Sequence, residues 1–476
     1  MALAPTRLSG AQFAKLVGAL LLQQHDIGAI LRRTFDRYGP AICVRPERGW
    51  FRPRSDRSEG RSEGRSEGRP ESRPESQAKG KISEVWLVAE PAIIEALLIR
   101  EYRSVDKDPL TRELEDVLGL GLLVSEGDAW RHDHKIVQPV LNAGAMRRRL
   151  DEVADLVDMT LERWPEGGDL DCAKLFGPLT LEVVSQIALG LSLLDEAPLV
   201  GAALDELLDY YTGFGGPGLR APATWRTPAR RRFESACAQL RSLTARLIKR
   251  RATEPCTADD KDVLGRLLAA HRQRPEALPA ARVEDQAMTL MLAGNETTTL
   301  GLAYALHALA HSPEAQERWH QEADAAAEQG LELERLTWTR GVWRETLRMF
   351  PPAAGVARVA RCELDLAGLP IPARSLIVVP ALALHRSPQW FPEPDTFRPQ
   401  RFIDPPTWPK LAYLPFGAGP RVCIGSHLAD IEALVALARI GRRYRIEPQP
   451  GAKPLRFKLS VTMRPADGVP IRLVPR

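Results

Sequence analysis

A glycine-rich turn that ends in a single cysteine constrains the fold of this chain more than any other stretch. The turn runs from Phe416 to Gly425 and reads FGAGPRVCIG, and a helical pattern begins directly after it at Ser426. A thiol just before a helix faces unpaired backbone N–H groups and the positive end of the helix dipole, which favour the thiolate. Arg421 places a cation two residues before Cys423. This arrangement predicts a thiolate ligand for haem iron, whereas the alternative for a lone cysteine is a small buried hydrophobe.

A polar interruption lies within the longest apolar-periodic segment, Glu284–His311. Here Gly294 is followed by the five polar residues 295–299. Glycine and polar side chains oppose both helix propensity and burial, and such a conflict is typical of a functional site; the alternative is a polar face turned to solvent. Gly294 permits the close approach of a flat ligand, Thr297 can bond the helix backbone and hold water, and Glu296 supplies a nearby acid.

Two weaker patterns lie on either side of this segment. Asp128 is the predicted N-cap of a helix that carries Trp130 and His134 on one face. Glu345 and Arg348 lie one helical turn apart further along the chain. Taken alone, the first pair is more often a packing contact and the second a surface ion pair, so neither identifies a site without the other motifs.

The cysteine turn resembles the haem-binding signature of the cytochrome P450 family, and the polar run resembles that family's oxygen-activation motif. The resemblance implies one mainly α domain over residues 1–476, with a small β-rich side. It also implies a soluble, bacterial-type haem-thiolate monooxygenase that inserts one oxygen atom from O2 into an organic substrate. The signature positions that match are Phe416, Gly419, Arg421, Cys423 and Gly425.

The resemblance also implies roles for individual residues. Cys423 is expected to bind the iron, and Glu296 and Thr297 to relay protons on the oxygen side. Arg421, Trp130, His134 and Arg358 are expected to bind the haem propionates. His134 stands where the family usually has Arg, so the charge at its contact with a propionate depends on pH. Residues expected to bind haem b are Cys423, Arg421, Phe416, Gly425, Trp130, His134, Arg358, Ala293 and Gly294.

A buried ion-pair triad is the remaining structural implication of the resemblance. Glu345, Arg348 and Arg401 are expected to fix the cysteine turn below the haem. Breaking one member of such a triad strands buried charge and costs about 3–5 kcal/mol.

Hydrophobic periodicity predicts further regular elements. The predicted helices are Ile27–Tyr38, one starting at Pro91, Leu179–Leu193, Leu204–Phe214 and Pro228–Arg251. The predicted strands are Ala41–Val44, Val85–Val88, Val356–Ala360, Ser375–Pro380 and two or three within Leu455–Pro475. In the resembling family the aromatics Tyr210, Tyr211 and Phe214 would line a substrate channel beneath a mobile lid; packing between helices is the alternative.

Composition limits the location and the partners. The net charge of +4 is spread without a long basic tract, which argues against nucleic-acid binding. Six cysteines without a Cys-x-x-Cys pair favour reduced thiols in the cytoplasm. The apolar run Phe13–Leu22 is too short for a membrane span and predicts a helix packed on the protein, with an interfacial helix as the alternative. Arg-Ser-Glu-Gly repeats predict a disordered insert at about residues 54–80, at the tip of a hairpin.

The expected electron source is a separate protein, since the sequence shows no flavin or nicotinamide motif. A ferredoxin or flavodoxin with its reductase fits a basic docking face, for which a plain solvated surface is the alternative. The residues of that face are Arg131, Lys135, Arg439, Arg442 and Arg443. The substrate is expected to be small and apolar, of the terpenoid, carotenoid or fatty acid class. The rival functions are a hydroperoxide-driven peroxygenase or isomerase and a non-catalytic haem-thiolate sensor or carrier.

Overall fold

The computed structural model describes residues 5–22, 27–45, 82–212 and 227–476, with the backbone alone for residues 17–22. The predicted insert at about 54–80 and Phe214 of the predicted lid lie outside these residues.

The described chain is mainly helical, as predicted. Its α-helices are α1 (Gly10–Leu22), α2 (Ile27–Tyr38), α3 (Pro91–Glu95), α4 (Pro109–Glu113), α5 (Glu115–Leu118), α6 (Gly127–Leu141), α7 (Ala143–Arg148), α8 (Leu150–Leu161), α9 (Cys172–Leu189), α10 (Ala197–Thr212), α11 (Pro228–Arg251), α12 (Val263–Gln273), α13 (Ala280–Ala310), α14 (Pro313–Gln329), α15 (Thr337–Met349), α16 (Ala381–His385) and α17 (Ser426–Arg443).

The strands form the smaller, β-rich part. They are β1 (Thr6–Leu8), β2 (Ala41–Val44), β3 (Val85–Val88), β4 (Val105–Lys107), β5 (Gly168–Asp171), β6 (Val356–Ala360), β7 (Leu364–Leu366), β8 (Leu369–Ile371), β9 (Leu376–Val379), β10 (Tyr444–Pro448), β11 (Phe457–Leu459), β12 (Met463–Pro465) and β13 (Pro470–Pro475). A six-stranded sheet has the order β1-β2-β3-β9-β6-β4, and a three-stranded sheet has the order β10-β13-β5. The remaining strands form two separate hairpins, β7-β8 and β11-β12.

The six-stranded sheet confirms the predicted hairpin of β2 and β3, which pair antiparallel. The short strand β1, which the sequence did not reveal, pairs parallel to β2. Phe13 and Leu16 of α1 pack against buried residues of this sheet, among them Ile42 and Leu87. The first part of the apolar N-terminal run is therefore a helix packed on the protein, as predicted.

Long buried helices form the core, and several of their predicted bounds were wrong. Helix α10 begins at Ala197 rather than Leu204, and α13 begins at Ala280 rather than Glu284. Helix α9 begins at Cys172 rather than Leu179, because Asp171 caps its first turn and Pro178 is accommodated inside the helix. It ends at Leu189 rather than Leu193, because the next residue, Gly190, has a positive φ of 68°. By length and composition α9 is the one candidate membrane span among the described residues, and 67% of it is buried inside the protein, which is the burial of a core helix.

The predicted N-cap at Asp128 was also wrong. Helix α6 begins at Gly127, and its N-cap is Glu126, which has an extended backbone. Asp128 lies within the first turn and accepts hydrogen bonds from Arg131. An acidic side chain there still interacts favourably with the helix dipole, so the acid favours the helix start without capping it.

Candidate functional site

The cysteine turn is held by its own backbone. Gly417 and Gly419 have positive φ values of 73° and 72°, and the Cys423 N–H donates to the Phe416 carbonyl oxygen at 2.9 Å. A Cβ at Gly419 would lie 2.1 Å from the Leu98 carbonyl oxygen, so this glycine is required by neighbouring protein backbone. A Cβ at Gly425 would meet no protein atom within 4 Å. Gly419 is therefore explained by contact with protein backbone and not by the close approach of a ligand. Gly425 has no such protein contact and remains free to face a ligand.

The Cys423 side chain is accessible although protein surrounds it. It is accessible to solvent, yet it lies deep enough in the protein that burial raises the pKa of its thiol. The backbone N–H of Gly425 lowers that pKa but does not offset burial. The helix end alone therefore does not hold a thiolate here, and a bound metal ion, which deprotonates a coordinating thiol, would do so.

Helix α13 has a single accessible stripe in its central part. Ala293 is exposed, Gly294 and Thr297 are partly exposed, and every other residue from Gln286 to Leu306 is buried. Positions 293 and 297 lie one turn apart on one helix face. The Thr297 hydroxyl donates to the Ala293 carbonyl oxygen at 2.8 Å, the backbone contact that the sequence predicted. This stripe is the part of α13 on which a ligand can lie.

The rest of the polar run serves helix packing. Thr180 of α9 donates to the Asn295 side-chain oxygen at 2.7 Å and lies 2.6 Å from the Thr299 hydroxyl. A Cβ at Gly294 would lie 2.5 Å from a methyl carbon of Val184, so contact between the helices requires that glycine. The contacts therefore explain Gly294 by the packing of α13 on α9, whereas the sequence predicted the close approach of a flat ligand. The solvent-facing alternative fails as well, since four of the five polar residues are buried.

Glu296 points to the C-terminal hairpin β11-β12. Its carboxylate lies 3.0 Å from Arg464 Nε and accepts a hydrogen bond from the Thr462 hydroxyl at 3.4 Å. Arg464 also donates to Asp205 of α10 at 2.6 Å. Burial raises the pKa of Glu296, which Arg464 opposes. Glu296 and Thr297 are thus neighbours in sequence whose side chains have different hydrogen-bond partners.

A cation cluster, defined as Lys107, Arg358 and Arg421, lies beside Trp130 and His134. The Arg421 guanidinium lies 3.9 Å from the centroid of the Trp130 ring, whose centre is 4.9 Å from that of His134. Burial lowers the pKa of Arg421 to about 10. Burial and the Arg421 charge lower the pKa of His134, so this ring is neutral at pH 7. The structure brings together four residues predicted to bind haem propionates.

Lys107 is the member of this cluster that sequence reasoning missed. In the register of β4 and β6 it is paired directly with Arg358, although like charges opposite one another destabilise a sheet. Burial, with the charges of Arg358 and Arg421, lowers the pKa of Lys107 to about 7. Only the pairing of two strands distant in sequence reveals this contact. Lys107 and Arg358 are buried and Arg421 is partly buried, while the carboxylates of Asp108 and Glu126 offset part of their positive charge. The cluster remains a suitable place for an anionic group of a ligand.

The predicted triad is formed. Arg348 donates to both carboxylate oxygens of Glu345, at 2.7 and 2.8 Å, and Arg401 donates to one of them at 3.0 Å. Glu345 and Arg348 have no exposed surface, and Arg401 is 8% exposed. Arg348 also donates to the carbonyl oxygens of His385 and Pro394, each at 2.8 Å. The triad therefore ties α15 to the segment that precedes the cysteine turn.

The lid aromatics support the packing alternative. The Tyr210 ring stacks on Phe233 of α11 with centroids 4.3 Å apart, and Tyr211 meets Phe233 edge-on at 5.8 Å. The Tyr211 hydroxyl also donates to the Glu113 carbonyl oxygen at 3.0 Å. These two rings join α10 to α11.

The predicted basic face is partly neutralised. Arg439 and Arg443 lie 3.1 and 3.4 Å from the same carboxylate, Asp158, while Arg442 is exposed. At about 1.5 Å per residue, Arg443 is about 25 Å along α17 from Ser426. The arginines of α17 therefore lie far from the cysteine end of that helix.

Comparison with known proteins identifies the family of this chain. The family model for cytochrome P450 matches residues 79–469. The chain is 32% identical to cyclooctat-9-en-7-ol 5-monooxygenase of Streptomyces melanosporofaciens, over 78% of this chain and 82% of that protein. It is 30% identical to cyclooctatin synthase of the same organism, over 82% and 86% of the two chains. The chain belongs to the cytochrome P450 family.

The fold of known P450 structures matches as well. The crystal structure of CYP175A1 from Thermus thermophilus superposes with a TM-score of 0.73 at 23% identity, over 99% of this chain and 100% of that one. The mainly α fold with a small β-rich part is therefore confirmed. The chain is an oxidoreductase of the haem-thiolate monooxygenase class, whose cofactor is haem b. The accessible thiol of Cys423 and the three neighbouring cations Lys107, Arg358 and Arg421 fit the iron and the propionates of that cofactor.

Proposed function

We propose that this P450 hydroxylates an apolar substrate of the terpenoid class, using O2 and electrons from a separate ferredoxin or flavodoxin. Residues 1–476 would form one P450 domain with an insert at about 54–80. The six free cysteines of the chain support a cytoplasmic enzyme. The single observation that carries the proposal is the stripe on α13, where Thr297 presents a hydroxyl on the accessible face of an otherwise buried helix.

In this proposal Cys423 is the iron ligand, and the cation cluster holds the propionates with Trp130 and His134. Thiolate-ligated haem, when bound, activates O2 so that one oxygen atom enters the substrate and the other leaves as water. Phe416 holds the Cys423 backbone through its carbonyl oxygen. Ala293 and Gly294 supply the flat, small surface of α13 that would lie against the ring.

Proton delivery is assigned to Thr297 and Glu296. The Thr297 proton is directed to the Ala293 carbonyl oxygen, which leaves the hydroxyl lone pairs to accept a hydrogen bond from water. Glu296 is a buried acid whose pKa is raised by burial, against the opposing charge of Arg464, and it is the proposed source of the relayed proton. Because its carboxylate is bound to Arg464, Glu296 would deliver that proton through water rather than by direct contact with Thr297.

The substrate class rests on the relatives. The protein named cyclooctat-9-en-7-ol 5-monooxygenase has by its name a cyclic alkenyl alcohol as substrate. This supports a terpenoid substrate over a carotenoid or a fatty acid for the present chain. A hydroperoxide-driven enzyme or a haem carrier has no need of a hydroxyl on the accessible face of α13.

The proposal is tested with purified protein in three steps. The reduced carbon monoxide adduct should first show the absorption typical of thiolate ligation. Terpenoid alcohols, carotenoids and fatty acids are then screened for substrate-induced shifts of the haem spectrum, and terpenoids should bind most tightly. Finally, turnover with ferredoxin, its reductase and O2 is compared with turnover on hydrogen peroxide alone. Equal product from peroxide would favour a peroxygenase, and binding without reductant consumption for any compound would favour a carrier.

The docking face for the electron donor is proposed on α6. Arg131 and Lys135 lie on the helix that carries Trp130 and His134, whereas Arg442 lies about 24 Å along α17 from its first residue. Reversal of Arg131 and Lys135 to Glu should slow reduction by an acidic ferredoxin, most strongly at low salt. Arg442→Glu is the matched control and should have a smaller effect. Equal rates for all variants would refute an electrostatic docking face on α6.

A further inference from the structure

His385 joins the triad to the cysteine turn. It is the last residue of α16 and has no exposed surface. Its backbone carbonyl oxygen accepts a hydrogen bond from Arg348 Nη1 at 2.8 Å. Its ring nitrogen Nε2 accepts the backbone N–H of Leu414, also at 2.8 Å. One residue thus contacts both the buried ion pairs and the chain that enters the turn.

From Leu414 the hydrogen bonds continue to the cysteine. The Leu414 carbonyl oxygen accepts from the Gly417 N–H at 3.2 Å, which closes the turn around Phe416. The Phe416 carbonyl oxygen accepts from the Cys423 N–H at 2.9 Å. Because each bond joins backbone groups of a short turn, a shift of Leu414 is passed on to the backbone of Cys423. The path runs from Arg348 through His385 and Leu414 to the proposed ligand.

Tyr413 makes a second contact between α15 and the segment that enters the cysteine turn. The Tyr413 ring lies against the His385 ring with centroids 5.2 Å apart, and the Tyr413 hydroxyl donates to the Arg344 carbonyl oxygen at 2.8 Å. Arg344 belongs to α15, the helix that carries Glu345 and Arg348. Residues 413 and 414 are therefore both anchored to this helix, one through a phenol and the other through His385.

The chemistry of this position requires a neutral acceptor. Since Nε2 accepts a hydrogen bond, the ring proton must be on Nδ1. Burial, with the nearby charge of Arg348, lowers the pKa of His385 to about 3. The ring is therefore neutral at pH 7, and its Nε2 remains available to accept the Leu414 N–H.

We propose that His385 is a positioning residue for Cys423, which passes the geometry of the triad to the cysteine turn through Leu414. The inference rests on the proposed role of Cys423 as the iron ligand. It goes beyond that role in naming the side chain that sets where the sulfur lies.

The test compares two substitutions in the full-length holoprotein. His385→Leu removes the acceptor, and His385→Gln restores an acceptor at a similar reach. Loss of one buried hydrogen bond should lower the ratio of thiolate-ligated to unligated carbon monoxide adduct by about tenfold in His385→Leu. The reduction potential of the iron should change with it, and His385→Gln should recover most of both values.

A matched control separates positioning from general stability. His320 is also buried, and its ring nitrogen lies 3.2 Å from the Tyr444 carbonyl oxygen, away from the cysteine turn. His320→Leu should lower the melting temperature and leave the adduct and the potential unchanged. If His385→Leu does not fold, His385→Asn, whose shorter amide fails to reach Leu414, takes its place with the same expected loss.

Each outcome decides one of the two claims. A wild-type adduct without thiolate character would overturn the role of Cys423 itself. A normal wild-type adduct, with an unchanged adduct ratio and potential in the His385 variants, would overturn the positioning role alone. A loss in His385→Leu that His385→Gln does not recover would also count against the hydrogen bond to Leu414.

Discussion

The cysteine turn and the polar run of α13 are both short, glycine-containing stretches, but they use their residues differently. In the turn, nearby residues contact the same residue: the Phe416 carbonyl oxygen accepts the Cys423 N–H, and the Gly425 N–H bonds the Cys423 thiol. In α13, by contrast, neighbouring side chains point to different partners: Glu296 binds the C-terminal hairpin, and Thr297 lies on the accessible stripe of the helix. A helix turns by about 100° per residue, so a contiguous motif on it is divided among different partners.

The largest expected effect concerns the turn. Cys423→Ser should abolish the thiolate-type carbon monoxide adduct and monooxygenase turnover, because a serine hydroxyl does not replace a thiolate ligand. The adduct spectrum and product formation measure this. Cys362→Ser is the control, since Cys362 is an exposed free thiol, and it should behave as the wild type. Turnover retained by Cys423→Ser would mean that the turn does not hold the iron.

The next largest effect is expected from the triad of Glu345, Arg348 and Arg401 beneath the cysteine turn. Glu345→Gln removes the charge that two buried arginines share and should lower the free energy of unfolding by about 3–5 kcal/mol. Thermal or denaturant unfolding of the holoprotein measures it. The exposed pair of Arg335 and Glu332, 2.8 Å apart, offers the control, because Glu332→Gln should cost less than about 1 kcal/mol. Equal losses would show that the triad does not brace the turn.

The division of the α13 run can be tested residue by residue. Thr297→Ala should retain haem but use reductant without forming the matching amount of product, since the hydroxyl on the accessible face of α13 is lost. Thr298→Ala changes the same residue type at the next position, where the side chain is buried, and should keep coupling intact. The ratio of product formed to reductant consumed measures both. Full coupling in Thr297→Ala would contradict the proton relay.

The smallest effect is a pH dependence at the cation cluster. In the protein alone the pKa of Lys107 is about 7, below its usual value, and a propionate beside it would raise that pKa. Haem binding therefore takes up a proton above pH 7, and affinity should fall as pH rises, by at most about tenfold per pH unit for one proton. Equilibrium haem titrations of the apoprotein between pH 6 and pH 9 measure this.

Lys107→Met should flatten the same pH profile. The variant removes the titrating group while keeping most of its buried chain. An unchanged slope in Lys107→Met would assign the proton to another group of the cluster.

Much of the fold followed from local pattern. The bounds of α2, α11, β2, β3 and β6 were predicted to the residue, because their hydrophobic periodicity and end signals, such as Pro228 of α11, are local. The start of α9 was missed because Pro178, which commonly marks a helix start, is tolerated within it. The strand β1 was missed because three residues carry no clear period.

The sequence by itself determined the class of site. The turn with Cys423, the polar run and the triad are motifs in which residue type and spacing carry the chemistry, and these identify the P450 family. Tertiary structure alone decided which residues meet. Only strand pairing sets Lys107 against Arg358, and only packing shows that Asn295 serves α9 and that His385 reaches Leu414. The physical reason is that such contacts join residues far apart in the chain, whose pairing depends on how whole elements pack.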